Sequence, residues 1–153
     1  MNTVFEYQLV EDFKNRIERI DESAEALWGK MNLKQMLKHC IENEKLMLRE
    51  KKLKDVFIGR LFGQMALKSD IKDEKPLGKN SPTHPDLKMK GVVVLEDVET
   101  LKSEWKHLLE KYLDISTDHY NGFVHPFFRK MNYAQVGIWA SKHINHHLSQ
   151  FGF

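Results

Sequence analysis

Two stretches of this chain open with nearly the same phrase. Lys30-Met31-Asn32-Leu33-Lys34-Gln35-Met36 is echoed by Lys130-Met131-Asn132-Tyr133-Ala134-Gln135-Val136. In each, the asparagine is placed as an N-cap, its side chain accepting from the backbone N–H three residues on. The glutamine at that third position is placed to return the bond, which makes a capping box. Met31 with Met36, and Met131 with Val136, occupy the positions of a hydrophobic staple. A start so specified fixes the phase of the helix behind it, and therefore which later side chains share a face. Two independently good helix starts explain the echo as well as a pseudo-twofold relation between the two helices does. Under either reading, both helices go on to carry histidines.

The rest of the pattern is also helical. Val10, Phe13, Ile17 and Ile20 recur at steps of three and four, one face of a first helix over 10–20. Leu33 to Leu48 carries Met36, Leu37, Cys40, Ile41 and Met47, a second amphipathic helix. The stretch 56–67 is apolar on several sides, and Gly59 and Gly63 weaken it, so a shorter or bent helix is expected there. From Ser69 to Gly91 the sequence is polar and holds Pro76, Gly78, Asn80, Pro82 and Pro85, which predicts a long loop or flap. Val92-Val93-Val94-Leu95 has no partner strand in view and reads as an extended lead-in. Asp97 to Tyr112 is the clearest helix, with Val98, Leu101, Trp105, Leu108, Leu109 and Tyr112 in one stripe. A last helix runs from Tyr133 to about Phe151. The expectation is an all-α fold, a four-helix bundle with a long loop between the third and fourth main helical segments, in one domain spanning 1–153.

Composition narrows the function classes. Twenty-four Lys and Arg against 22 Asp and Glu leave a formal charge of +2. No helix concentrates basic residues with interleaved aromatics, so a nucleic-acid partner is not expected. The run Lys51, Lys52, Lys54 is followed by Asp55 and reads as a solvated helix end. No apolar stretch approaches the roughly 20 residues that span a bilayer, and the first residues lack a signal-peptide layout. Cys40 is the single cysteine, which fits a reducing cytoplasm. Histidine is the unusual residue type: three of the eight fall within 143–147.

His143 and His147 stand four apart, which stacks their side chains on one helix face with Cβ atoms about 5–6 Å apart. Val136, Ala140, His143 and His147 follow steps of four, three and four, so the pair continues the apolar stripe and points inward. His146 also shares a face with His143 but lies on the Trp139 side, and His147 aligns better with Ala140 and Val136. His39 is near the inward face of the second helix. Three inward imidazoles on two helices could meet at one metal and leave open positions for water or substrate, the arrangement of catalytic rather than structural sites. Two plainer readings stand beside it. A lone His39 is commonly a satisfied core histidine, and a histidine pair late in a helix gains from the negative end of the helix dipole. Cys40 follows His39 directly and points about 100° away, so it reads as a buried core thiol rather than a nucleophile paired with that base.

The entry Trp28-Gly29-Lys30-Met31-Asn32 to a helix bearing His39, with a last helix carrying His143-x-x-His146-His147 and then Gln150, resembles the DinB-like superfamily. His125-Pro126-Phe127-Phe128 before that last helix is similar to a branch of short proteins in it with no established function; there the phenylalanine pair is usually followed by Gly, and here Arg129 stands instead. The likeness covers nearly the whole chain, strongest over 28–40 and 125–153, while the middle is matched by helix order and the Asn80-Ser81-Pro82-Thr83 loop. It implies a four-helix bundle holding a divalent transition metal, zinc, nickel or iron, on His39, His143 and His147. It also implies relatives that include thiol-dependent transferases and isomerases and metal-dependent hydrolases.

An all-histidine site leaves the ion its full charge, which favours ionising a water or low-molecular-weight thiol as nucleophile. His125, next to a proline ahead of the last helix, is the candidate acid or base, with a turn-capping role as the alternative. Glu42 and Glu44 lie close to His39 in sequence, but neither stands out as a base. The loop 79–85 is a candidate lid, with His84 a minor contributor. The expected partner is a small-molecule substrate, a thiol among the candidates. The rival function is a non-catalytic metal-binding or stress-associated protein, with a homodimer left open because no continuous exposed heptad predicts one.

Overall fold

A computed structural model describes residues 1–153. Five α-helices make up most of the chain: α1 (Tyr7–Glu18), α2 (Leu33–Met47), α3 (Phe57–Asp70), α4 (Val98–Lys111) and α5 (Tyr133–Gln150). Both capping boxes are closed. The Asn32 side chain accepts from the Gln35 N–H at 2.9 Å and the Gln35 side chain from the Asn32 N–H at 3.1 Å. At α5 the matching distances between Asn132 and Gln135 are 2.9 and 3.0 Å. Asp97 caps α4 by accepting from the Thr100 N–H at 2.8 Å. Each cap satisfies N–H groups that have no partner inside the helix, which is why these three helices begin where the sequence places them.

Helices α1, α2, α4 and α5 pack as a closed ring, α2 and α1 each lying against both α4 and α5. The expected stripes face inward: Val10, Phe13 and Ile17 from α1, Met36, Leu37 and Ile41 from α2, Leu101, Trp105 and Leu109 from α4, Ile144 and Leu148 from α5. These belong to one cluster of 29 buried apolar residues reaching from Val4 to Phe151. Each such side chain contributes roughly 1.5–3 kcal/mol by leaving water. No helix is long and apolar enough to cross a membrane.

The segment between α3 and α4 is long, as expected, but pinned to α2. It forms a 3-10 turn at Pro85–Leu87, Gln35 donates to the Val92 carbonyl at 2.9 Å, and Lys38 pairs with Glu96 at 2.7 Å. Residues 92–95 form no strand.

The third helix departs from expectation. It is neither short nor broken but runs 14 residues. Gly59 and Gly63 are buried on its inner side, where the backbone of Phe127 and Phe128 comes so close that a Cβ on either glycine would overlap it. The glycines therefore mark a close approach rather than a weakness. That backbone belongs to a tight antiparallel pair, β1 (Val124–His125) and β2 (Arg129–Lys130), registered His125 to Arg129. Arg129 sits at φ +67°, a left-handed conformation that suits glycine, and its guanidinium pairs with Asp55 at 2.5 Å.

Alanine normally improves a helix interior by about 1 kcal/mol over glycine. At Gly63 the overlap with the Phe127 carbonyl outweighs that gain, because backbone cannot move aside cheaply. Gly63→Ala is expected to lower stability by on the order of 2 kcal/mol in a urea titration; a stabilised variant would show that α3 does not press on 127–128.

Candidate metal centre

The inner faces of α2 and α5 bring His39, His143 and His147 together. Each is buried, with 4%, 7% and 7% of its surface exposed. One ring nitrogen from each lies within 4.8 Å of the others. His39 Nε2 and His143 Nε2 are 3.3 Å apart. A tetrahedral ion with nitrogen bonds of about 2.0–2.1 Å holds its ligand atoms about 3.3 Å from one another. The first pair is already at that spacing, and the third ring has at most on the order of 1.5 Å to close.

The outward nitrogens explain why the rings face as they do. His39 Nδ1 lies 2.9 Å from the Leu87 carbonyl, which can only accept, so Nδ1 carries the proton and Nε2 presents its lone pair inward. Gln150 donates through Nε2 to the Trp28 carbonyl at 2.7 Å. Its Oε1 is thereby turned to His147 Nδ1 at 2.9 Å, so His147 also offers a bare Nε2. His143 is the exception. Asn43 Nδ2 donates to its Nδ1 at 3.3 Å, which leaves the His143 proton on Nε2, directed at the His39 lone pair. For His143 to serve as an Nε2 ligand, that proton must leave Nε2. With Nδ1 then carrying the ring proton, the Asn43 carboxamide must present its oxygen. Carbonyl and amide partners of this kind are what orient metal-binding histidines.

Burial pushes all three imidazoles below the usual histidine range. His143 is well below it, with His147 and His39 adding to the effect. His147 is held down to about 3 by burial and then by His39. His39 is lowered by burial against the opposing hydrogen bond to Leu87. All three are neutral at pH 7, the state in which imidazole is a ligand. Trp139 stacks flat on His143, centroids 4.9 Å apart and planes 20° apart, and walls off one side of the cluster.

The other candidates fall elsewhere. His146 is half-buried with its ring edge against Trp28, outside the cluster. His125 is buried, and its Nδ1 accepts from the N–H groups of Phe127 and Phe128, both at 3.1 Å, the geometry of the turn-capping alternative. His84 Nδ1 accepts from the Asp86 N–H, and its Nε2 meets the Lys54 carbonyl at 2.9 Å. Cys40 is fully buried, and burial raises its thiol well above the ordinary value. Glu42 faces outward to Lys51 at 2.6 Å. Glu44 is fully buried, accepts from the Tyr112 hydroxyl at 2.5 Å, and is pushed up to about 7 by burial, against the pull of that bond. Sequence reasoning gave no role to Leu87 or Asn43. A carbonyl carries no residue signature, whereas Asn43, four residues after His39, was detectable by helical spacing.

No family model, curated protein or solved structure matches this chain.

The buried histidines set a pH dependence. His125 and His147 are both held at about 3 in the fold, against about 6.5 when unfolded. Between those values the unfolded chain binds protons that the native state does not, so stability is full above about pH 6.5 and declines as pH falls toward 3. Each such group adds a slope of about 1.4 kcal/mol per pH unit. Glu44, between its ordinary value and about 7, and Asp70, also raised by burial, act in the opposite sense, but five lowered histidines, His39, His125, His143, His146 and His147, outnumber them. In chelator-treated protein, the urea midpoint is expected to drop between pH 6.5 and 5, and His125→Asn to flatten that drop. A midpoint constant over this range would contradict the neutral buried imidazoles.

Proposed function

We propose that this chain is a metal-dependent enzyme built as a DinB-like four-helix bundle, with His39, His143 and His147 holding one divalent transition ion. The observation that carries this reading is the paired orientation of the rings: Nε2 atoms converge while every Nδ1 is engaged by Leu87, Asn43 or Gln150. Satisfied core histidines need no such convergence, and a helix-dipole role would not draw in His39 from another helix. The family reading has further support. The closed ring of α1, α2, α4 and α5 suits a bundle, and the position after Phe127-Phe128, where the branch usually has Gly, adopts a positive φ.

When bound, the ion acts as a Lewis acid that lowers the pKa of a coordinated water or thiol, making a nucleophile at neutral pH. The chain's own contributions are steric and electrostatic. Three neutral ligands leave the ion's charge undiminished, the Leu87 carbonyl and Gln150 keep two rings in the ligand tautomer, and Trp139 excludes water from the flank of His143. The reaction class is hydrolysis or thiol transfer onto a small-molecule substrate. A second reading, a non-catalytic metal site, draws support from the depth of the cluster, since all three ligands are more than nine-tenths buried.

His39→Ala and His143→Ala are each expected to weaken zinc, nickel or iron binding at least about 100-fold, read by elemental analysis and competition with a chelator. Unchanged metal content in both would remove the site. A screen of metal-loaded protein with bacillithiol, glutathione and simple esters then separates the two readings, turnover favouring the enzyme and complete inactivity the structural site.

Asn43 supplies a finer probe. Asn43→Asp offers His143 only an acceptor and so favours the ligand tautomer, whereas Asn43→Leu offers nothing. The aspartate variant should bind metal at least as tightly as the parent, and the leucine variant about 10–100-fold more weakly. Equal affinities in all three would show that Asn43 does not orient His143.

A further inference from the structure

Helix α3 stands outside the closed ring and rests against β2 and the backbone of 127–128. Its 14 residues sort into rows four apart. Gly59, Gly63 and Leu67 form the buried row. Phe57, Leu61 and Met65 are 74%, 64% and 64% exposed, and Ile58 and Phe62 beside them 56% and 46%. Between the buried row and this apolar face runs a polar row, Arg60, Gln64 and Lys68, all exposed. An open recess of about 370 Å³ adjoins that polar edge, lined by Gln64, Val124, Arg129 and Lys130. Gln64 ties it to the helix by donating to the carbonyls of Phe128 and Lys130. Soluble chains seldom leave an apolar face of this kind open without a partner.

The charge around this face has one sign. Lys52, Lys54, Lys68 and Lys130 are exposed and enter no ion pair. The nearby acids are already engaged: Asp55 lies 2.5 Å from Arg129 and 3.9 Å from Arg60, and Asp70 accepts from Trp139 Nε1. Past the helix, Asp73 and Glu74 are balanced by Lys72 and Lys75. We propose that this face docks α3 in the plane of an anionic phospholipid surface. Phe57, Ile58, Leu61, Phe62 and Met65 enter the acyl boundary, and the recess at Arg129 and Lys130 takes a headgroup phosphate. Arg129 meets Asp55 through one guanidinium nitrogen, which leaves its other N–H groups for phosphate oxygens. Charge favours lipid over a second copy, because cations at both ends of the stripe repel their own kind and attract phosphate. Shape favours it too: a protruding helix presents its whole face to a plane at once, and a fluid surface needs no matching groove. No helix is long and apolar enough to cross a membrane, so the contact lies along the surface.

The test floats the untagged full-length chain with vesicles of phosphatidylcholine, with and without phosphatidylglycerol. Binding is expected to the anionic vesicles, with little to the neutral ones and release at high salt. Leu61→Asp should weaken it at least about 30-fold while circular dichroism and thermal unfolding stay those of the parent. Arg60→Ser combined with Lys68→Ser should also lose on the order of 30-fold, since each cation near such a surface is worth roughly a factor of five. Lys130→Ser alone should lose about five-fold. Leu61→Cys carrying a polarity-sensitive dye should shift to the blue on anionic vesicles, because the native Cys40 is buried and only the new thiol is labelled. His107→Cys, exposed on α4, should not shift. Flotation with neither vesicle, or flotation unchanged in Leu61→Asp, would overturn the lipid contact. Equal binding to neutral vesicles, insensitive to salt, would overturn the anionic surface. A dimer in sedimentation equilibrium that dissociates in Leu61→Asp, without flotation, would assign the face to a second copy and overturn the proposal as well.

Discussion

Three imidazoles buried inside an apolar core are the constraint around which this structure is arranged. A buried polar ring is costly unless its nitrogens are engaged, with a penalty of about 1–3 kcal/mol for each one left unsatisfied. The chain meets that demand from four places. Leu87 reaches in from the long segment after α3, Asn43 from one turn along α2, Gln150 from the end of α5, and Trp28 holds Gln150 from the segment before α2. This explains why segments that look like loose connections are well attached. Residues 27–28 and 85–87 are fixed because the histidines need their carbonyls, directly or through Gln150.

The same accounting separates the three histidines. His39 and His147 are locked into one tautomer by groups whose donor and acceptor roles have no alternative in place. His143 is held by a carboxamide that offers either a donor or an acceptor after a half-turn. The ring at the centre of the cluster is thus the adaptable one. Its proton is shared toward His39 in the arrangement seen here, where the pair stands 3.3 Å apart. In this arrangement the His143 proton answers the His39 lone pair, while the Nε2 lone pair of His147 stays open.

Much of this was legible in the residues, for reasons that are local. Capping boxes and stripes depend on neighbours three and four apart, so Asn32, Asn132 and Asp97 announced their helices, and the i,i+4 histidines announced their shared face. The meeting of His39 with that pair was inferred from inward phase on two helices together with the family likeness. What stayed hidden depends on long-range approach. Gly59 and Gly63 read as helix weakeners because propensity does not register the backbone of Phe127 pressing on them. The carbonyl of Leu87 is invisible to any motif. Glu44 carries no local sign of its partner, because Tyr112 lies 68 residues further along the chain, just after α4.

The outward stripe of α3 and the histidine cluster are joined by a short physical chain. Gly63 of α3 rests on the backbone of Phe127 and Phe128; Phe128 meets Trp139 with ring centroids 5.1 Å apart; Trp139 stacks on His143. Close-packed contacts of this kind transmit displacement poorly as continuous motion but well as a choice between discrete packings. Trp139 is also held at its far edge, where Nε1 donates to Asp70 at 3.2 Å, the last residue of α3. Helix α3 therefore touches the tryptophan from two sides, through Phe128 near its middle and through Asp70 at its end. Helix α3 thus supports the tryptophan that walls the histidine cluster, while Asn43 and His39 hold His143 from within.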